Sequence, residues 1–473
     1  MSRIDWLPWA TPAFQRAQQT RRPVLLLIET AWSTPCREFL SGTLESADVA
    51  ETVSGRFVAV RVDADWRPDI ADRYGAGSWP TLLALTPEGD VLGGGTPPPR
   101  GLAPWLVLAA TRFTERDGRW LDAGDADHSR QPVQPAHMRD PVAAAQEVWA
   151  TLAAAVDPQT GRFGTGHGPV LEPALAALAA ATTGLVPDLA APAVRTLDAL
   201  LAGPRWERAR GLLLSRGIDA TEPGERLARL GEQAEWVRLL ARAVAWDPRP
   251  PWHAALRQAS AALHTAFGPA AEGWTAWTDG PPVTFTDQVA RGSRALLAAA
   301  EVLDAPELAA EAIAALEATV PRVYTQGAGV AHVWTHRPHG PALLLDAMLV
   351  AHALLDADPW RSQPVYRDLA EELVRSACAR LAGPSGALLD RRATMAGAND
   401  VGRLRQPVYP LDGNGEAARA CLRLGPGSAE WQARALTVLS GVQEEGRQAG
   451  AFSAPLALAW TALLAPDHPI SVW

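Results

Sequence analysis

The sequence predicts an α/β domain followed by an all-α domain, on three observations. Apolar β-runs alternate with helical stretches over residues 1–116; a Trp-Ser-Thr-Pro-Cys segment lies where the first long β-run gives way to a helix; and alanine- and leucine-rich helical stretches recur from 139 to the end. Residues 117–138 between them are rich in Asp, Gly, His, Gln and Pro without helical periodicity, which predicts a linker.

In the first domain a helix is expected over Pro12–Gln19, and Val24–Ile28 is an unbroken apolar run of the kind buried on both faces of a sheet. Helical stretches follow Pro35 and Ser46, and a second β-run covers Phe57–Val62. A short helix near Asp69–Tyr74 precedes a hairpin, Thr81–Thr86 and Val91–Gly93, turned by Pro87-Glu88-Gly89-Asp90. The apolar helix Leu102–Thr111 closes a βαβ-then-ββα order, with Trp32-Ser33-Thr34-Pro35-Cys36 at the start of a helix and Trp79-Pro80 just before a strand. A thioredoxin fold places its W-C-x-P-C motif and its cis-proline loop at those two points.

Amides at a helix start favour a thiolate, so Cys36 is a redox candidate, with Ser33 and Pro80 beside it in the motif. Dithiol exchange needs a second sulfur to resolve the mixed disulfide; Ser33 occupies that place, so the site cannot cycle alone. The alternatives are a monothiol or chaperone-like module whose Cys36 reacts with a client thiol, and a non-catalytic scaffold in which Cys36 is a buried small hydrophobe.

The second domain shows about a dozen helical stretches and no convincing strand, among them Leu171–Thr182, Glu232–Ala245, Asp287–Leu303, Pro341–Leu355 and Gly415–Leu424. Their irregular spacing favours paired helices closed into a single (α/α)6 toroid over a tandem solenoid.

Composition narrows the chemistry. The chain has 473 residues, 48% of them hydrophobic and 20% charged, a globular balance. All 43 basic residues are arginine, so a Schiff-base lysine and a Walker-type phosphate lysine are both excluded. A net charge of -9 without a basic run argues against nucleic acid as partner. The opening MSRIDWLPWATPAF has no secretory pattern and no apolar run is long enough for a membrane span, so a cytoplasmic protein is expected. Three cysteines, Cys36, Cys378 and Cys421, suggest neither a disulfide framework nor a zinc site, and no cofactor or metal is expected.

Several motifs resemble one family, proteins with a DUF255-type thioredoxin-like domain fused to an (α/α)6 toroid like that of the acylglucosamine and cellobiose epimerases. Its animal members are spermatogenesis-associated, thioredoxin-like proteins. Ile4-Asp5-Trp6-Leu7-Pro8-Trp9 is similar to the family's V-D-W-x-P-W, Val62-Asp63 with Arg67-Pro68-Asp69 to V-D-R-E-E-R-P-D, and Ser78-Trp79-Pro80 to G-W-P. Leu85-Thr86-Pro87-Glu88-Gly89 with Gly93-Gly94-Gly95-Thr96 resembles L-T-P-x-G…G-G-T. In the helical part the likeness is thinner: Glu225–Ala234, Glu272-Gly273-Trp274 with Asp279, Gly292, Leu345-Asp346 and Gly413-Asn414 stand in family order. The family's Cys pair and several of its toroid motif residues are absent.

The resemblance implies a toroid cavity that binds or acts on a carbohydrate-like ligand, because moving a proton at a sugar carbon needs a base and an acid facing one cavity. Candidate lining residues are Glu232, Gln233, Asp346 and Asn414 from the family-like positions, and Trp274 beside Asp279, an indole for stacking and a carboxylate for hydroxyls. His332 and His336 come from the run His332-Val333-Trp334-Thr335-His336-Arg337-Pro338-His339, which Pro338 marks as a cavity-mouth loop; without a carboxylate in the run it is no zinc signature. Asp412 and Asn414 also read as helix caps.

Overall fold

The computed structural model describes residues 4–75, 79–95, 101–115, 140–164, 169–215, 227–268, 273–361, 363–392, 400–466 and 468. The linker 117–138 and the motif residues Ser78, Thr96, Glu225 and Glu272 lie outside them. Two compact units form, one from residues 1–132 and 392–408, the other from 133–391 and 409–473.

The first unit is a five-stranded sheet in the order β1-β3-β2-β4-β5. Its elements are β1 (Leu7–Pro8), α1 (Thr11–Thr20), β2 (Val24–Glu29), α2 (Thr34–Glu38), α3 (Ala47–Arg56), β3 (Val58–Asp63), α4 (Pro68–Tyr74), β4 (Thr81–Leu85), β5 (Val91–Gly95) and α5 (Leu102–Glu115). β2 runs parallel to β3 and antiparallel to β4, so every β2 residue is buried. Alternation splits the strand between two cores: Val24, Leu26 and Ile28 pack with Phe14 and Ile70, whereas Leu25 and Leu27 pack with Val53 and Leu106. β1 is too short to show as a periodic run, and the sequence reading missed it.

Residues 400–408, counted with the helical domain in the sequence, pack in this first unit. Val401 and Leu404 join its core, and the Tyr74 hydroxyl donates to Gly89 O and accepts from the Arg403 amide, each at 2.8 Å. Gly402 has φ +57°, and a Cβ there would come within 2.7 Å of Gly89 O, so both conformation and space require glycine.

The second unit is built from helical hairpins. Its inner helices are α7 (Leu171–Thr182), α9 (Leu230–Trp246), α11 (Thr286–Leu303), α13 (Leu344–Arg361), α15 (Leu411–Leu424) and α18 (Ala454–Leu464). Each packs on the next and α18 returns to α7, closing the ring of an (α/α)6 toroid. Outside them lie α6 (Pro141–Ala154), α8 (Ala190–Ala202), α10 (Pro250–Phe267), α12 (Pro306–Val323), α14 (Pro364–Arg380) and α16 (Ala429–Gly441), with the short α17 (Gln443–Gln448) against α6.

Sequence sets the division. α7 buries nearly its whole circumference, as a helix apolar all round must, whereas α14 buries one stripe, Tyr366, Ala370, Leu373, Val374 and Ala377. Outer helices α6, α10, α12 and α14 start on proline, whose missing amide costs nothing in a first turn. The expectation of no strands is corrected. β6 (Trp206–Glu207) pairs with β7 (Leu212–Leu213), and β8 (Thr284–Phe285), β9 (Tyr324–Thr325), β10 (Gly329–Trp334) and β11 (Pro338–Ala342) form a small antiparallel sheet. Each is too short, or in β11 too rich in Pro and Gly, to show strand periodicity.

Candidate functional site

In the toroid each inner helix is separated from the next by an outer one, so the inner helices run in one direction and their N-termini gather at one mouth. Strands β8 and β11 lead directly into α11 and α13 at that end. Acids stand in the first turns of five inner helices, Glu172 on α7, Glu232 on α9, Asp287 on α11, Asp346 on α13 and Asp412 on α15, where the positive helix ends favour them.

His332, on β10, meets Asp346: its Nδ1 lies 3.0 and 2.9 Å from the two carboxylate oxygens. Both side chains are buried, and the Phe285 ring packs 5.7 Å from the imidazole. Burial pushes the Asp346 carboxyl up and His332 draws it back. A carboxylate accepting from Nδ1–H fixes the tautomer and leaves Nε2 as a proton acceptor. Asp287 joins this pair, with one ligand atom from each of the three within 4.8 Å of the others. Its Oδ2 accepts from Gln288 Nε2 at 2.7 Å, while its buried Oδ1 has no hydrogen-bond partner among the described residues. One imidazole and two carboxylates are also a donor set that a divalent cation accepts, although the sequence reading expected none.

Arg291, one turn beyond Asp287 on α11, donates to Glu235 Oε1 at 2.8 Å. Burial opposes its charge, but Glu235, Asp287 and Glu172 outweigh burial and raise its pKa. Glu172 is pushed up to about 8, first by burial and then by the Glu235 charge. Burial likewise raises Asp412, although its Oδ1 accepts from the Gly413 amide at 2.7 Å. The mouth thus holds a histidine-carboxylate pair, a carboxyl raised by burial and the Arg291 guanidinium, an arrangement able to take and give protons.

Of the residues singled out in the sequence, the structure brings His332 and Asp346 together. The others are held elsewhere. Gln233 is fully buried, accepting from the Leu213 amide at 2.9 Å and donating to Gly211 O and Ala259 O at 2.9 and 3.0 Å. Asn414 accepts from the Leu388 amide at 2.7 Å and donates to Leu388 O and Pro410 O at 2.9 and 2.8 Å, so both amides pin backbone. Glu232 forms ion pairs with the buried Arg205 and with Arg229. Trp274 is 1% exposed against Gly292, where a Cβ would come within 2.6 Å of the indole, so it is core and offers no stacking face. Asp279 is exposed at a turn with φ +61°, and His336 is exposed between β10 and β11 with its ring 5.8 Å from that of His339. The sequence reading did not single out Glu172, Glu235, Asp287 or Arg291. The recurrence of an acid in the first turn of the inner helices was the signal for Glu172 and Asp287.

In the first unit, Ser33 caps α2, its Oγ accepting from the Cys36 amide at 3.4 Å. Cys36 is fully buried. Burial pushes its thiol up, outweighing hydrogen bonds from Thr30 and Ser33, with the Glu29 charge adding to the rise, which reverses the lowering expected from a helix start alone. Asp63 is pushed up to about 7 by burial and by the charges of Asp65 and Glu29. The Trp79–Pro80 peptide bond is cis and Pro80 is buried. Cys378 and Cys421 meet across α14 and α15, where a hydrogen bond from Cys421 and the Arg434 charge lower the Cys378 thiol. Cys36 is therefore expected to alkylate at least roughly tenfold more slowly than the half-buried Cys378 at pH 8. Peptide mass spectrometry of an iodoacetamide time course checks this, and equal rates would contradict a sealed Cys36.

Comparison with known proteins agrees with this architecture. Residues 1–103 match the family model Thioredox_DsbH, described as a protein of unknown function, DUF255. An uncharacterized protein of Caenorhabditis elegans is 28% identical over 182 residues, covering 34% of this chain and 24% of that protein. Human spermatogenesis-associated protein 20 is 30% identical over 109 residues, covering 21% of this chain and 14% of that protein. The chain thus matches about a quarter or less of the length of these relatives. Among solved structures, cellobiose 2-epimerase from Spirochaeta thermophila superposes with a TM-score of 0.55 at 11% identity, over 69% of this chain and 97% of that one. A GH76 alpha-mannanase from Bacteroides thetaiotaomicron does so with a TM-score of 0.53 at 12% identity, over 70% and 96%. Residues 1–103 are accordingly similar to the DUF255 family model, the chain is similar over 109 residues to spermatogenesis-associated protein 20, and the helical unit has the (α/α)6 toroid fold that these solved structures share.

Proposed function

We propose that the toroid mouth binds a carbohydrate-like ligand and moves a proton on it, with His332 as general base and Asp346 as the residue that orients it. The observation that carries this reading is the buried His332–Asp346 pair, 2.9 Å apart, beside the unpartnered Asp287 oxygen. A base alone returns the proton it takes; an isomerisation or epimerisation also needs an acid, and Glu172, in the first turn of α7 with its carboxyl raised by burial, is the group assigned that part. His332 Nε2 takes the proton from the carbon next to the sugar carbonyl, the electron pair moves onto the carbonyl oxygen, and a second group reprotonates the carbon. Asp287 and Arg291 are suited to hold hydroxyl groups. That the helical unit shares its fold with a cellobiose epimerase supports the ligand class.

The thioredoxin-like unit is proposed as a structural module, since its thiol is sealed and lacks a resolving partner. The scarcity of cysteine fits a reducing, cytoplasmic setting. Among the described residues no helix is long and apolar enough to cross a membrane.

The test is proton exchange. The full chain is incubated in D2O with a panel of aldoses, ketoses and reducing disaccharides, and loss of sugar C–H signal is followed by NMR. Exchange is expected on at least one sugar, reduced by about a hundredfold or more in His332→Gln with the far-UV spectrum unchanged. Asp346→Asn should lower it too and change the pH profile, because the tautomer is no longer held. No exchange and no melting shift across the panel would overturn the reading.

A further inference from the structure

At the opposite end of the same helices lies a second polar site. A cavity of about 470 Å³ opens there, lined by Arg238, Arg294, Asp356, Trp360 and Arg423 among others. Asp356 and Trp360 are ten and fourteen residues beyond Asp346 on α13, about 15 and 21 Å along a helix axis, so this cavity opens toward the C-terminal ends of the helices, while Arg238 and Arg294 stand about one turn beyond Glu235 and Arg291 of the mouth.

The charges around it do not balance. Arg423 donates to Asp356 Oδ1 at 2.5 Å, Arg294 donates to Asp356 Oδ2 at 3.1 Å and to Glu416 at 3.3 Å, and Arg419 donates to Glu416 at 2.9 Å. Those pairs use both buried carboxylates. His352 adds no negative charge: it takes a hydrogen bond from Arg423 on Nδ1 and lies 2.9 Å from Glu416 O through Nε2, and burial holds its pKa down at about 3, so it is neutral. Arg238 is then left over. It is 8% exposed, forms no ion pair among the described residues, and its Nη2 is buried without a hydrogen-bond partner. Arg294 Nη2 is likewise buried and unpartnered. Glu301 reaches the rim but is exposed. Burial, then the neighbouring Arg294 and Arg419, push Arg238 down to about 9, the mark of a cation lacking a counter-ion.

Stranding a guanidinium in protein is costly unless an anion meets it. Arginine forks match the oxygens of phosphate in a way a lone ammonium does not. The cavity is larger than an inorganic oxyanion needs and falls in the range of small-molecule sites, and Trp360, 38% exposed, offers an apolar wall for the remainder of a ligand. We propose that this cavity is a binding site for a phosphoryl group, held by the Arg238 guanidinium with Arg294 and Arg423 beside it and opening away from the carbohydrate site at the mouth.

The test is calorimetric titration and thermal melting of the full chain with inorganic phosphate, glucose 6-phosphate and neutral glucose at matched ionic strength. Phosphate-bearing ligands are expected to bind and raise Tm, and Arg238→Gln to weaken them tenfold or more while leaving any response to glucose intact. Arg238→Lys, which keeps the charge and loses the fork, should be intermediate, and it serves if the glutamine variant fails to fold. Tighter binding of the ester than of phosphate, lost in Trp360→Ala, identifies a phosphorylated metabolite; equal binding of the two identifies free phosphate. Binding no stronger than that of sulfate or chloride, an adventitious ion only, would overturn the proposal, as would binding undiminished in Arg238→Gln. The glucose arm keeps this result apart from the proton-exchange test of the mouth.

Discussion

Asn414→Leu is expected to destabilise the toroid by about 2–6 kcal/mol, on the reckoning of about 1–3 kcal/mol for each of the two Leu388 backbone groups left unmatched, Pro410 O keeping the Asn414 backbone amide. Leucine has nearly the same shape, so the cavity term is small and the loss isolates hydrogen bonding. The asparagine is fully buried in the first turn of α15. It accepts from the Leu388 amide and donates to Leu388 O and Pro410 O. The Leu388 groups belong to a non-helical segment between α14 and α15 and have no helix ladder to return to. Urea unfolding followed by circular dichroism measures the change. A loss under about 1 kcal/mol would mean that the segment finds other partners and that Asn414 is free to serve a ligand.

That distinction shows what a sequence can convey. The alternation of β2 between two cores, the proline starts of outer helices and the all-round apolar faces of α7 and α18 are local patterns, and the two-part fold was legible from them. The motif Trp32-Ser33-Thr34-Pro35-Cys36 placed a helix start correctly, but whether its thiol is activated depends on burial, which no spacing conveys. Family-like positions in the toroid, Gln233, Asn414 and Trp274, proved to be framework: a polar or aromatic residue at a helix start reads alike whether it pins backbone or faces a ligand. His332 and Asp346 were found because a histidine before a helix bearing an acid is a local juxtaposition. Arg238 and Arg294 were invisible, since on separate helices nothing but the closed ring shows that they line one cavity.

Glu416→Gln is expected to cost about 3–5 kcal/mol, the range for removing one partner of a buried ion pair. Burial opposes the Glu416 charge, but Arg419 and Arg294 outweigh it and hold the carboxyl well below its ordinary value of 4.5. Glutamine keeps the shape and removes the charge, leaving Arg238, Arg294 and Arg419 with Asp356 as the remaining buried carboxylate of the cluster. The sign with pH follows. A carboxyl whose pKa falls on folding contributes its stability fully above the unfolded value, and that contribution is lost as pH drops through the folded one. Wild type and variant should therefore differ most above about pH 5 and converge on acidification, the wild type losing stability where the variant's curve is flatter. Urea midpoints across that range measure the gap. A constant difference with pH would mean that glutamine disturbs packing rather than charge, and the account of the arginine cluster as held together by Glu416 would be wrong.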